Sequence, residues 1–326
     1  MQSIFDAESI EISIAVLCRI PGGAPFDIFI RRAEKTYTKL IKKDDPIDYD
    51  RLEGYHLKKG IEALSVRQAD YQSYLVLAER VANECISDPG SVTAAELTDI
   101  VKEMANMTMI DLFVRTEVDQ RSVFHATGTV KGCISAITKD PSSFINLLKV
   151  MKHHPYLMKH SLTTAIFSLL LAKETGFESN RTLISIGLGA LVHDIGFTKM
   201  SFSPENFVDL SPEQIKEIRQ HPEFGKRLLD PLKQISTEVR SIVLQHHEQP
   251  NGNGYPNGLH DAEIYMPAKI ISICDSFSAL ISDRPYRKAF SPTKALQIML
   301  EDRGKFDPKL LDQFAAILMP VKKSKN

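Results

Sequence analysis

The sequence predicts an α+β chain of two domains, a small β-rich one at the N-terminus and an all-α helical bundle after it. Three observations carry this. Apolar residues alternate with period two near the N-terminus, as Ile10, Ile12, Ile14 and Val16 do. From residue 141 to about 320 the apolar spacing is helical almost throughout, with no strand-like alternation to interrupt it. The histidines follow the same division: His56 and His125 precede residue 150, and the other eight fall between His153 and His260.

The first domain is expected over residues 1–70. The PGGAP stretch from Pro21 to Pro25 is turn chemistry, and Phe26, Ile28 and Ile30 then resume the alternation. YTKLI and GIEALSV supply two more strand candidates. Connecting helices follow over residues 71–140. Thr93 and Glu96 have the spacing of a capping box, and Val123, Ala126, Val130, Cys133 and Ile137 keep a helical period. Asp140-Pro141 opens the bundle, residues 141–320. Within it Ser211-Pro212, Ser291-Pro292 and Asp307-Pro308 each set a capping residue before a proline suited to a first helical turn. The basic tail 321–326, VKKSKN, is expected to fray.

Bulk numbers narrow the partners. Lys plus Arg (40) and Asp plus Glu (41) nearly cancel, so neither a nucleic-acid polymer nor an acidic membrane surface has a global electrostatic pull on the chain. The longest apolar stretch, LISIGLGALV, is too short to span a bilayer and reads as a buried helix. Cys18, Cys85, Cys133 and Cys274 form no C-x-x-C pair and read as reduced thiols. With no secretion signal in MQSIFDAESIEIS, a cytoplasmic protein is expected.

Taken singly, the polar residues of the bundle have ordinary readings. His160 suits a core histidine. His193-Asp194 suits a helix C-terminus with Gly196 as its cap, and His221, before Pro222, a helix-end surface residue. His246-His247 would complement a helix dipole. Asp275 resists such a reading. It sits in the apolar helix KIISICDSFSALI with no lysine or arginine within a turn, where an ionised carboxylate needs a strong partner such as a metal. Together, five histidines and two aspartates on separate helices supply seven nitrogen and oxygen ligands and no thiolate. That donor set suffices for two metals sharing a bridging carboxylate and suits iron, manganese or zinc. A two-metal site of this kind activates water and clamps a phosphoryl oxygen, as phosphoester hydrolysis requires.

The order H…HD…H…HH…D, carried by His160, His193-Asp194, His221, His246-His247 and Asp275, resembles the HD superfamily of phosphohydrolases. HHEQPNGNGYP, SDRPYRKAF and GKFDP are similar to motifs of its HD-GYP branch, over about residues 145–318. The resemblance implies an HD-type all-α bundle with a metal centre in its core that hydrolyses cyclic di-GMP to pGpG or GMP through a metal-bridging hydroxide. It implies that His160, His193, Asp194 and Asp275 hold one metal. Asp194 would bridge to a second, held by His221, His246 and His247, with iron or manganese as the ions. Tyr255, Arg284 and Arg287 fall on positions that contact the dinucleotide.

Four departures from the family pattern matter. The lysine of HDIGK is Phe197 here, and Lys199, two positions on, is the candidate substitute for its catalytic charge. The second aspartate of D-x-x-D-A-L is Ser278, and the loop's usual arginine and aspartate are Gln249 and Asn251. The glutamate that three-metal members carry one turn before the first histidine is Tyr156, which favours two metals. Three readings follow: a cyclic di-GMP phosphodiesterase, a metal-bound dinucleotide-binding module with little turnover, or a phosphodiesterase of another cyclic dinucleotide or nucleotide. The N-terminal domain would regulate, or it or the GYP loop would join a protein partner or a second copy.

Overall fold

Four antiparallel strands, β1 (Ser9–Ser13), β2 (Ile28–Ala33), β3 (Thr36–Ile41) and β4 (Ala63–Arg67), form one sheet in the order β1-β4-β2-β3. The computed structural model describes residues 9–20, 22–33, 36–50, 52, 54, 63–113, 118–140, 156–202, 210–284 and 287–319. The basic tail and Pro141 of the expected domain boundary lie outside these residues. Phe26, Ile28 and Ile30 are buried, as their alternation predicted, and Ile12 pairs with Leu64 across β1 and β4.

One strand expectation needs correcting. The alternation through Ile14 and Val16 does not continue the strand: β1 ends at Ser13, and Ile14–Leu17 is a single helical turn, α1. The Ser13 amide donates to the hydroxyl of Tyr74 (3.1 Å), which takes the backbone away from the sheet. The turn buries Ile14, Val16 and Leu17 together, so the same apolar residues serve a different backbone.

Three helices follow, α2 (Tyr71–Ser87), α3 (Ala94–Phe113) and α4 (Gln120–Lys139). The capping box before α3 is present: the Thr93 amide donates to Glu96 (2.7 Å), and the Glu96 amide to the Thr93 hydroxyl (3.2 Å). On α4 the residues of the helical period, Val123, Ala126, Val130, Cys133 and Ile137, are all buried.

The bundle consists of α5 (Tyr156–Glu174), α6 (Asn180–Val192), α7 (Pro212–Ile218), α8 (His221–Leu229), α9 (Thr237–Gln245), α10 (Met266–Leu280), α11 (Pro292–Glu301) and α12 (Pro308–Leu318). α5 packs on α6 and α10, and α6 also packs on α4 and α9, so α5 and α6 are buried on most of their surface. Phe167, Phe277 and Phe314, from α5, α10 and α12, meet edge to face with centroids 5.0 to 5.7 Å apart. Each such pair adds about 0.5–1.5 kcal/mol beyond its burial. Ser211, Ser291 and Asp307 cap α7, α11 and α12 through their side chains, as predicted. Among the described residues no helix is long and apolar enough to cross a membrane.

Candidate metal centre

Helix ends deliver most of the predicted ligands. His193 is the residue after α6, His221 opens α8, and His246 follows α9. The last carbonyls of a helix have no partner inside it. Each of these rings uses one: Nδ1 donates to the carbonyl three residues back, Ala190 (2.7 Å), Ile218 (2.7 Å) and Val243 (2.8 Å). That hydrogen bond assigns the tautomer, places the free lone pair on Nε2 and aims it inward. His160 and Asp275 enter from α5 and α10.

Asp194 stands at the centre, and its two carboxylate oxygens face different ways. Oδ2 lies 3.3 Å from His193 Nε2 and 3.6 Å from His160 Nε2. Oδ1 lies 3.2 Å from His221 Nε2 and 3.8 Å from His246 Nε2. Two donor sets result, His160–His193–Asp194 and Asp194–His221–His246–His247, with Asp194 common to both. Asp275 joins the first through Oδ1, 2.9 Å from His160 Nε2, while its Oδ2 is 4.0 Å from His247 Nδ1.

The arrangement asks for positive charge. The Nε2 lone pairs of His221 and His246 face each other at 3.1 Å, and buried Nε2 of His193 has no hydrogen-bond partner among the described residues. Burial opposes ionising Asp194, yet the histidines, His193 first, hold its carboxyl well below the usual range. His160 does the same for Asp275 against the same burial. Burial pushes His246 and His247 down, so both stay neutral. It opposes charge on His193 too, but Asp194 outweighs it and raises that ring to about 9, so without a cation Nε2 holds a proton, and a metal would replace that proton to use the lone pair. Two ionised carboxylates among inward lone pairs, with no thiolate, fit divalent first-row metals.

Close backbone approach makes this possible. A Cβ at Gly196 would lie 1.9 Å from the His221 carbonyl oxygen, so only glycine lets the turn after Asp194 seat against α8. Gly254 has the same role in the loop after His247, where a Cβ would come within 2.6 Å of backbone atoms of His247, Glu248 and Gln249.

A family model described as HD domain matches residues 143–310, which is just over half of the chain. The chain belongs to the HD-domain family. Among curated proteins this HD domain is similar to the cyclic di-GMP phosphodiesterase PA4108 of Pseudomonas aeruginosa. The two are 32% identical over 195 residues, 58% of this chain and 46% of the relative. It is also similar to the 3'3'-cGAMP-specific phosphodiesterase 3 of Vibrio cholerae, 34% identical over 153 residues, 45% of this chain and 32% of the relative. The chain thus spans less than half the length of either. Among solved structures, the HDG"Y"P protein Bd1817 of Bdellovibrio bacteriovorus superposes with a TM-score of 0.66 at 19% identity. That match covers 95% of this chain and 99% of the other, a likeness of fold.

All seven predicted ligand residues of the HD domain come together, and Tyr255 joins them. Its ring stacks on His247, with centroids 4.7 Å apart and planes at 30°. Arg284 arrives indirectly: its guanidinium lies 3.7 Å from the centre of the Tyr156 ring, which itself stacks on His160. Arg287 does not come to the cluster. Its guanidinium donates to the carbonyls of Ala279 (3.0 Å), Leu280 (3.0 Å) and Lys288 (2.8 Å), which secures the C-terminal end of α10. Lys199 is exposed at the end of the short turn Ile195–Lys199, and the cluster's ion pairs do not include it. Phe197 instead stacks on His221 at 4.2 Å.

Sequence reasoning missed two residues. Glu248 is buried, and its carboxylate accepts the amides of Asn257 (2.7 Å) and Leu259 (2.9 Å), which fastens the loop carrying Tyr255. The HHE triplet contained the signal, a glutamate beside two ligands and ahead of a glycine-rich loop. Arg219 lies over the Tyr255 ring at 5.8 Å, and its sequence context held no signal at all.

Proposed function

We propose that this chain is a metal-dependent phosphodiesterase that hydrolyses cyclic di-GMP to pGpG or GMP. The divided carboxylate of Asp194, one oxygen toward each donor set, carries the reading. Several curated relatives named as cyclic di-GMP phosphodiesterases, 26 to 32% identical over parts of their length, support the substrate.

Two ions are assigned, one on His160, His193, Asp194 and Asp275 and one on Asp194, His221, His246 and His247. Iron or manganese suits five nitrogens and two carboxylates. When bound, such a pair lowers the pKa of water toward neutrality and polarises a phosphoryl oxygen. The protein holds Asp194 and Asp275 ionised and keeps its histidine lone pairs aimed inward through backbone carbonyls. Tyr255 covers His247 at the mouth, and Arg284 supplies a fork suited to a phosphate or a guanine edge. Four free cysteines suit a reducing cytoplasm. Association with a partner or a second copy is assigned to the N-terminal domain or the Tyr255 loop, and the mass of the chain with and without residues 1–115 tests it.

The stacked Phe197 ring favours a second reading, in which the chain binds the dinucleotide but turns it over slowly. The similarity to a cGAMP-specific enzyme favours a third, a hybrid cyclic dinucleotide as substrate. Anaerobic purification, a metal count, and chromatography of cyclic di-GMP with Mn²⁺ or Fe²⁺ separate the three. The expected result is product that disappears in Asp194→Ala. Tight binding without product establishes the second reading, and turnover confined to 3'3'-cGAMP the third.

A further inference from the structure

His160 and His247 belong to different donor sets, and each is stacked on by a tyrosine with an arginine near the tyrosine's ring. Tyr156 lies on His160 with centroids 5.3 Å apart and planes at 18°, and the Arg284 guanidinium lies 3.7 Å from the Tyr156 centroid. Tyr255 lies on His247, and the Arg219 guanidinium is 5.8 Å from the Tyr255 centroid. Among the described residues neither guanidinium forms an ion pair with a carboxylate, and Arg219 is exposed. An arginine held over an aromatic face keeps its charge and its fork of N–H donors available to a ligand. The centre therefore has one such fork associated with each donor set.

We propose that Arg219 is a substrate-binding residue, and that Arg219 on Tyr255 and Arg284 on Tyr156 grip opposite halves of a cyclic dinucleotide lying across the metal centre. This rests on the phosphodiesterase reading above. A cyclic dinucleotide has two phosphates and two bases related by a two-fold axis, so one phosphate at the metals leaves a nucleoside on either side and the second phosphate opposite. Each half presents the acceptors a guanidinium fork matches, a pair of phosphate oxygens or the O6 and N7 edge of guanine. Tyr156 then has a role of its own: it positions Arg284 by stacking between it and His160.

The test is isothermal titration of the metal-loaded full chain with a cleavage-resistant phosphorothioate analogue of cyclic di-GMP, alongside metal content and melting temperature. Arg219→Ala and Arg284→Ala are each expected to weaken binding roughly ten- to a hundredfold, as for loss of a charge-assisted hydrogen bond. Metal content and melting temperature should stay at the wild-type values, and Arg219→Lys should recover part of the affinity. Tyr156→Leu should weaken the analogue as Arg284→Ala does and add little to it in the double variant. A matching cyclic di-AMP analogue identifies the group held: a loss confined to the guanine ligand points to the base edge, a shared loss to the phosphate. Unchanged affinity in Arg219→Ala overturns the proposal and leaves the phosphodiesterase reading intact if the wild type cleaves cyclic di-GMP. Metal loss in Arg219→Ala also overturns it, since the residue would then support the cluster. A wild type that neither binds the analogue nor cleaves cyclic di-GMP overturns both.

Discussion

His221 Nε2 and His246 Nε2 face each other at 3.1 Å while both Nδ1 atoms donate to helix-end carbonyls. Neither ring can turn its lone pair away without giving up a buried hydrogen bond, so the pair is held apart from its best geometry until a cation lies between. Metal binding should therefore stabilise the fold. At a hundredfold excess over the dissociation constant, Mn²⁺ is expected to add about 2.7 kcal/mol, or roughly 5 °C or more in melting temperature for a domain of this size. Differential scanning fluorimetry with and without chelator measures the shift, and His246→Ala should remove most of it.

Gly196→Ala tests the close approach of the turn after Asp194 to α8. With a Cβ at 1.9 Å from the His221 carbonyl oxygen, the backbone itself must move. The expected result is a loss of about 3 kcal/mol or more in stability, in the range of overpacked core sites, and a drop in bound metal from two ions toward one. Urea unfolding and metal analysis measure the two effects separately.

Phe197 stacks on His221 where the family pattern has lysine. Phe197→Lys should raise turnover of cyclic di-GMP about tenfold or more, since a charge aimed at a reacting phosphate is often worth that much. Lys199 is exposed, so Lys199→Ala is expected to leave turnover nearly unchanged. If that variant is inactive, Lys199 is the substitute for the missing lysine. Steady-state rates of both variants decide the matter.

Glu103, buried on α3 and not one of the predicted ligands, gives a pH effect of its own. Burial raises its pKa from 4.5 to about 7, against a hydrogen bond with Tyr74. The folded protein holds this proton more tightly than the unfolded chain does. Its stabilising contribution is therefore complete below about pH 4.5 and is lost as pH rises through about 7. The loss amounts to about 3 kcal/mol. Glu103→Gln should remove this slope, so that the stability difference between variant and wild type grows in the variant's favour from pH 5 to pH 8. Chemical denaturation across that range measures it.

Much of the site was legible because its chemistry is local in the chain. Histidines at helix ends and an aspartate in an apolar helix each state a requirement that their neighbours do not meet and that a shared metal would. The glycine-rich loop after HHE states a need for close backbone approach. The caps at Thr93, Ser211, Ser291 and Asp307 were legible for the same reason, since a cap depends on residues two or three positions away. What depended on distant partners was not legible. Ile14 and Val16 have the spacing of a strand, but the Tyr74 hydroxyl, sixty-one residues away from Ser13, ends it. The family resemblance implied substrate contact for Arg287, yet the carbonyls at the end of α10 claim its guanidinium. Arg219 has no motif, and only the fold brings it over the Tyr255 ring. Which side chains could bind metal, and their order along the chain, follow from the residues alone. That Asp194 turns one oxygen to each donor set, and which arginines keep a fork without an ion pair among the described residues, emerges only where separate helices meet, because orientation and competition for partners are settled there.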